Sequence, residues 1–251
     1  MNQTLFPAIP LDKRCQILEY NNLGIFAINK ASGVLSHPNS KSHGKSHTLL
    51  KAKYNTDDEC YEWDDDEKQK RRFYLCHRLD SPTSGIIIGA STKEIAAIIK
   101  GKFAKREVQK TYLAITQLNP RVKEGLWSDR LREEKIDGKL RVVRGSGLPC
   151  QCKVRFIRNK KGSMNLNLIE MQPLTGRTHQ LRVQCQVRKM PIVGDKTYGN
   201  FSLNRKIKKD SKLERLCLHA SEIKFSIQYN HKEVIFNAES PLPRILGKIM
   251  S

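Results

Sequence analysis

A chain of 251 residues with 38% apolar residues is long enough to bury one good-sized core or two small ones, and too apolar to be a disordered tail. It carries 46 Lys and Arg against 25 Asp and Glu, a formal net charge of +21. That excess calls for a polyanionic partner, and nucleic acid is favoured over a membrane surface because no stretch approaches the roughly 18 consecutive apolar residues of a spanning helix. Residues 1–16 lack the charged start and apolar run of a signal peptide and are not Arg- and Ser-rich like a transit peptide. The seven Cys are odd in number and scattered through a chain too large to need staples. Together these features imply reduced thiols and a cytoplasmic location.

In chain order, Leu23-Gly24-Ile25-Phe26-Ala27-Ile28 is an apolar run of strand length, turned by Lys30-Ala31-Ser32-Gly33. Residues 57–67 are strongly acidic and are followed at once by KQKRR, which reads as a solvated loop whose opposite charges neutralise each other. Residues 73–79 read as a strand delivering His77-Arg78-Leu79-Asp80 to a turn made by Ser81-Pro82-Thr83-Ser84-Gly85, and Ile86-Ile87-Ile88 as a buried strand. Ser91-Thr92-Lys93-Glu94 is a capping box opening a helix with Ile95, Ile98, Ile99 and Phe103 on one face.

Residues 108–116 form the next predicted strand, residues 119–147 a polar hairpin excursion, and residues 150–157 and 164–171 two strands joined by Asn159-Lys160-Lys161-Gly162. Leu181, Val183, Cys185 and Val187 alternate at period two, as in a strand, whereas Pro173-Leu174-Thr175-Gly176 could equally start a helix. A turn-rich loop follows at residues 191–199, and residues 204–215 are dense in Lys and Arg. With no internal repeat and no clear linker, the pattern fits one mixed α+β domain.

Chemistry concentrates in HRLDSPTSG at 77–85 and PLTGRTHQLR at 173–182. The first sets a carboxylate on a tight turn directly after a buried strand, where a reactive group is held rigidly yet left accessible. The second supplies two arginines, a histidine and a glutamine within six residues, and a guanidinium near a carboxylate keeps it ionised. On spacing alone, Asp80 capping a turn beside ordinary surface arginines fits equally well. Cys150-Gln151-Cys152 lacks a second pair at zinc spacing, and His37, His43 and His47 sit in a Ser- and Lys-rich segment suited to phosphate contact.

HRLDSPTSG resembles the signature of the RluA-type pseudouridine synthases, which act on ribosomal and transfer RNA. Around it, in the family's order, stand Asn29-Lys30-Ala31-Ser32-Gly33-Val34, Ser36-His37-Pro38, Lys110-Thr111-Tyr112-Leu113-Ala114, Gly176-Arg177-Thr178-His179-Gln180-Leu181-Arg182, Pro191-Ile192-Val193-Gly194-Asp195, Tyr198-Gly199 and Leu218-His219-Ala220. An ordered set of this kind is far more specific than a lone motif. Ala31 stands where the family usually has proline, and the acidic insert and the basic stretch are peculiar to this chain.

The resemblance implies a single catalytic domain over residues 17–251, preceded by an extension at 1–16. Its expected fold is a mixed, mainly antiparallel central sheet flanked by helices around a catalytic cleft, without the RNA-binding S4 domain of many relatives. It implies a monomer that isomerises uridine to pseudouridine in structured RNA, ribosomal or transfer, with neither metal nor organic cofactor. Asp80 takes the catalytic position, either attacking ribose C1′ or assisting a glycal-like intermediate. Arg182 matches the arginine that pairs with this aspartate, and Tyr112 the tyrosine stacked on the target base. Arg78 resembles a residue that wedges into the RNA in some relatives, filling the place of a flipped base. Arg177 and His179 belong to the substrate-binding motif, and Leu218 is expected beneath Tyr112 or simply in the core. Competing readings are a non-catalytic basic RNA-binding protein on the same fold, and a metal-dependent base-modifying enzyme, whose ligand set is not evident.

Overall fold

The computed structural model describes residues 9–38, 47–136 and 139–251; His43 lies outside the described residues. Its elements in chain order are β1 (Gln16–Tyr20), β2 (Ile25–Lys30), β3 (Lys53–Asn55), β4 (Cys60–Asp64), β5 (Lys70–Leu75), β6 (Ser84–Ala90), α1 (Lys93–Ala104), β7 (Gln109–Gln117), β8 (Gly125–Ile136) and β9 (Lys139–Arg144). They continue with β10 (Leu148–Lys160), β11 (Leu166–Pro173), α2 (Gln180–Val187), α3 (Phe201–Ser211), β12 (Leu218–Tyr229), β13 (Lys232–Glu239) and α4 (Arg244–Met250). The fold is α+β, as expected. Among the described residues no helix is long and apolar enough to cross a membrane. The chain forms two compact units, Met1–Val108 with Ile223–Ser240, and Gln109–Glu222 with Pro241–Ser251.

The first unit is built on β2 and β6, paired antiparallel with Ala27 opposite Ile88 and Ile28 opposite Ile87. Both strands are apolar without alternation because both of their faces are covered. Ile25, Ala27, Ile86 and Ile88 join Ile95, Ala96 and Ile99 of α1 in one core. Phe26, Ile28 and Ile87 join Leu49, Leu50, Tyr61 and Phe73 in another. Gly89 is required here, since a Cβ would overlap the Phe73 ring. The helix cap lies one residue later than the sequence suggests: Thr92, not Ser91, is the N-cap and accepts the N–H of Ile95.

The acidic segment is not a loop throughout. Residues 60–64 form β4, paired with β5 in a register that sets Glu62 opposite Arg72 and Asp64 opposite Lys70. Cys60 and Tyr61 are fully buried, and this apolar content anchors the strand despite its carboxylates. The expected local neutralisation is present, with ion pairs Arg72–Glu62 and Arg71–Asp65.

The second unit contains the antiparallel neighbours β7-β11-β10-β8-β9. Its core gathers Ile115, Leu166, Ile169, Met171, Cys185, Ile192 and Leu218. Strands β8 and β9 pair antiparallel within the expected hairpin excursion. The ambiguous segment after Gly176 is the helix α2, whose residues 180–185 are all buried. The basic stretch forms most of α3, capped by Asn200, with Ile207 its one fully buried side chain.

Candidate active site

In the first unit, the loop that carries Asp80 is fastened from below. Strand β5 stops at Leu75, four residues short of the expected end, because side chains take over its hydrogen bonds. Ile88 N donates to His77 Nε2 at 3.0 Å, and Ser36 Oγ both donates to Leu79 O (2.9 Å) and accepts from Leu79 N (3.1 Å). Beyond Asp80, Thr83 N donates to Asp80 O at 3.0 Å, Gly33 N to Ser81 O at 2.8 Å, and Ser32 Oγ to Pro82 O at 2.7 Å.

Lys30 is fully buried and donates through Nζ to the carbonyls of Val34 (2.8 Å), Ala31 (3.1 Å) and Ser81 (3.1 Å). A buried ammonium is tolerable only when its donors are satisfied, and here it ties the turn after β2 to the turn after Asp80. The Asp80 side chain is half-buried on this platform, while Arg78 is exposed, with Nη1 2.9 Å from His37 Nε2.

The second unit holds the remaining predicted residues. Tyr112 on β7 packs against the core that contains Leu218, itself buried. Lys110, two residues earlier, is buried enough to lower its pKa by desolvation. Arg182 on α2 forms a two-point pair with Asp195, from Nε to Oδ2 at 2.8 Å and from Nη2 to Oδ1 at 3.0 Å.

Burial alone would raise the pKa of Asp195, but the hydrogen bonds and charge of Arg182, with the N–H groups of Tyr198 and Thr197, outweigh it and hold the carboxyl below its usual range. The Arg182 guanidinium also lies 5.1 Å from the Tyr198 ring centroid. Tyr198 Oη accepts the N–H of Val142 and sits at hydrogen-bond distance, 2.8 Å, from His179 Nδ1. His179 stands at the N-cap position of α2, with φ at 52°.

Arg177 enters the same turn: its backbone N–H donates to Gln180 Oε1 at 3.2 Å. Its Nε is buried and lacks a hydrogen-bond partner among the described residues. Gln180 and Gln184 extend the polar network to Gln151 O, Trp127 O and Asp129.

Asp195 and Tyr198 are the residues that sequence reasoning quoted within motifs without giving them a role. The available signal was an acidic residue directly after a glycine in a turn-rich loop. Gly194 has φ at 75°, and a Cβ there would overlap the carbonyl of Arg215, so the turn that aims Asp195 at Arg182 needs glycine.

Residues 24–187 match the family model described as RNA pseudouridylate synthase. The chain is 30% identical over 229 residues to tRNA pseudouridine synthase C of Vibrio cholerae, an alignment spanning 87% of this chain and 88% of that protein. It is 30% identical over 236 residues to ribosomal large subunit pseudouridine synthase C of Rickettsia bellii, spanning 93% of this chain and 71% of that one. Among solved structures, human RNA pseudouridylate synthase domain containing 1 superposes with a TM-score of 0.66 at 22% identity, covering 96% of this chain and 89% of that chain, which is a likeness of fold.

Proposed function

Because the chain belongs to the RNA pseudouridylate synthase family and is an RNA pseudouridine synthase, we propose that Asp80 is the carboxylate on which its isomerisation of uridine turns. The observation that carries this reading is the platform under Asp80. Buried Lys30, Ser32, Ser36 and Gly33 all bond the backbone on either side of it. Immobilising a loop in this way lowers the cost of presenting one side chain to a reacting atom.

In the reaction the bond between ribose C1′ and uracil N1 breaks, the base turns, C5 bonds to C1′, the hydrogen on C5 leaves as a proton, and N1 takes up a proton, so that the product is an isomer of the substrate. Positive charge develops at C1′ as N1 departs. An ionised Asp80 answers it either by bonding to C1′ or by assisting a glycal-like intermediate. Arg182 serves as the cation that the family resemblance pairs with this aspartate. Tyr112, backed by the core containing Leu218, stacks on the uracil. Arg177 and His179 hold the RNA, as the motif that carries them implies. Arg78 fills the space of the flipped uridine.

We read residues 17–251 as one catalytic domain that works as a cytoplasmic monomer without metal or organic cofactor. Its substrate is structured RNA. Relatives carry names of both transfer-RNA and ribosomal enzymes, so both classes are candidates. Mapping pseudouridine across the total RNA of a deletion strain and its complemented parent tests the reading. Loss of one or a few sites from ribosomal or transfer RNA is expected, and an unchanged map contradicts it.

A further inference from the structure

Arg78 is exposed, yet its guanidinium has a fixed neighbour whose chemistry is unusually well determined. His37 Nδ1 lies 2.7 Å from the carbonyl oxygen of Pro38, and His37 Nε2 lies 2.9 Å from Arg78 Nη1. A carbonyl has no proton to give and a guanidinium has no lone pair to accept with. One form of the ring satisfies both neighbours: neutral imidazole with its proton on Nδ1 and an acceptor at Nε2.

The ring is also held face on. It stacks on Tyr54 of β3, with centroids 5.2 Å apart and planes 18° from parallel. Tyr54 meets Tyr61 of β4 edge on at 5.0 Å, and the fully buried Tyr61 donates its hydroxyl to the carbonyl of Ser36 at 2.8 Å. Ser36 in turn bonds the backbone of Leu79, next to Arg78. A ladder of three rings therefore runs from the core to the surface and ends on the Arg78 guanidinium.

We infer that His37 is a positioning residue: stacked on Tyr54, it holds the Arg78 guanidinium in the orientation in which it enters the RNA stack beside a flipped uridine. The inference rests on the wedge reading of Arg78. A free arginine samples many rotamers, and ordering it when RNA binds costs affinity for the opened state. An acceptor on a rigid ring meets part of that cost before the RNA arrives. His37 has no place in the chemistry at C1′, so its effect should reach only substrates whose stack must be opened.

The test uses the full chain and two RNAs: a stem-loop containing the target uridine, and an unstructured oligonucleotide with the same flanking sequence. Pseudouridine formation is followed by tritium release. His37→Phe keeps an aromatic ring on Tyr54 but cannot accept from Arg78, and it should lower kcat/KM on the stem-loop about fivefold while sparing the oligonucleotide. His37→Gln, whose Oε1 can accept but which has no ring to stack on Tyr54, should recover part of the loss. His37→Asn is too short to reach Arg78 and should repeat it should phenylalanine disturb the packing. In an Arg78→Ala background, His37→Phe should cost nothing further, the coupling expected of two residues acting as one. Additive losses, or equal losses on both RNAs, overturn the role of His37 while leaving the wedge reading standing. An Arg78→Ala variant with no preference between the RNAs overturns the wedge reading and this inference with it.

Discussion

Arg182 and Asp195 face each other through two hydrogen bonds, at 2.8 and 3.0 Å, with side chains only 6% and 1% exposed. A pair so thoroughly removed from water pays a large desolvation cost, which its two-point geometry and the further N–H donors on Asp195 repay. Its consequence is orientation: the pair fixes the guanidinium of the arginine that the family motif marks, and the same carboxylate caps the turn that brings Tyr198 to His179.

Asp195→Asn is therefore expected to destabilise the protein by about 3–5 kcal/mol, the usual result of stripping one charge from a buried pair. The pH dependence has a definite sign. A carboxyl whose folded pKa is depressed contributes stability that is present above its unfolded value of roughly 3.9 and fades as pH falls below it. Urea unfolding of wild type should show stability dropping below about pH 4, and the variant should show a shallower drop from a lower plateau. Equal slopes in the two proteins would mean that Asp195 is not held ionised by Arg182.

Lys30→Met should act on the reaction at a distance. Methionine matches lysine as far as Cε but lacks the donating Nζ, so the carbonyls of Val34, Ala31 and Ser81 lose that donor. A destabilisation of about 2 kcal/mol or more is expected. Because the loss loosens the loop of Asp80, kcat should fall by more than RNA affinity does. A variant weakened in binding and unimpaired in kcat would remove Lys30 from the positioning of that loop.

RNA binding should weaken steeply with salt, given the net charge of +21 and the exposed Arg205, Lys206, Lys208 and Lys209 on α3. Each neutralised phosphate adds a slope of roughly −0.7 to −0.9 in log K against log salt. A titration by filter binding or fluorescence anisotropy between low and physiological salt measures it. A nearly flat plot would contradict a phosphate-dominated interface.

What the sequence disclosed, and what it withheld, follows from where hydrogen bonds go. The β2 and β6 strands were legible because runs such as Ile86-Ile87-Ile88 are buried on both faces. The period-two alternation of residues 181–187 misdirects because its polar members, Arg182 and Gln184, are buried as well. They are satisfied by Asp195, Asp129 and Trp127 O, partners far away in sequence that no local pattern displays. The strand in the acidic segment was hidden by its charges, although Tyr61 beneath them is fully buried.

At the candidate site, the motifs pointed to Asp80, Tyr112 and Arg182 by resemblance alone. They could not reveal the support: Lys30 is legible only as part of a turn and a motif, and His37 as one of three histidines suited to phosphate contact. Both make contacts with neighbours more than forty residues away, Ser81 and Arg78. Local spacing carries no record of such contacts.

The most direct measurement is a paired one on Asp80→Asn, using one preparation and one RNA. Asparagine keeps the size of aspartate and leaves the backbone bond from Thr83 N to residue 80 O available, so the loop should persist. It removes the charge and the nucleophilic oxygen needed at C1′. Tritium release from 5-tritiated uridine RNA should disappear, while binding of the same RNA stays at the wild-type level or rises slightly as a negative charge is lost. Turnover within about tenfold of wild type, roughly 1.4 kcal/mol of barrier, would show that Asp80 is not the carboxylate on which the isomerisation turns.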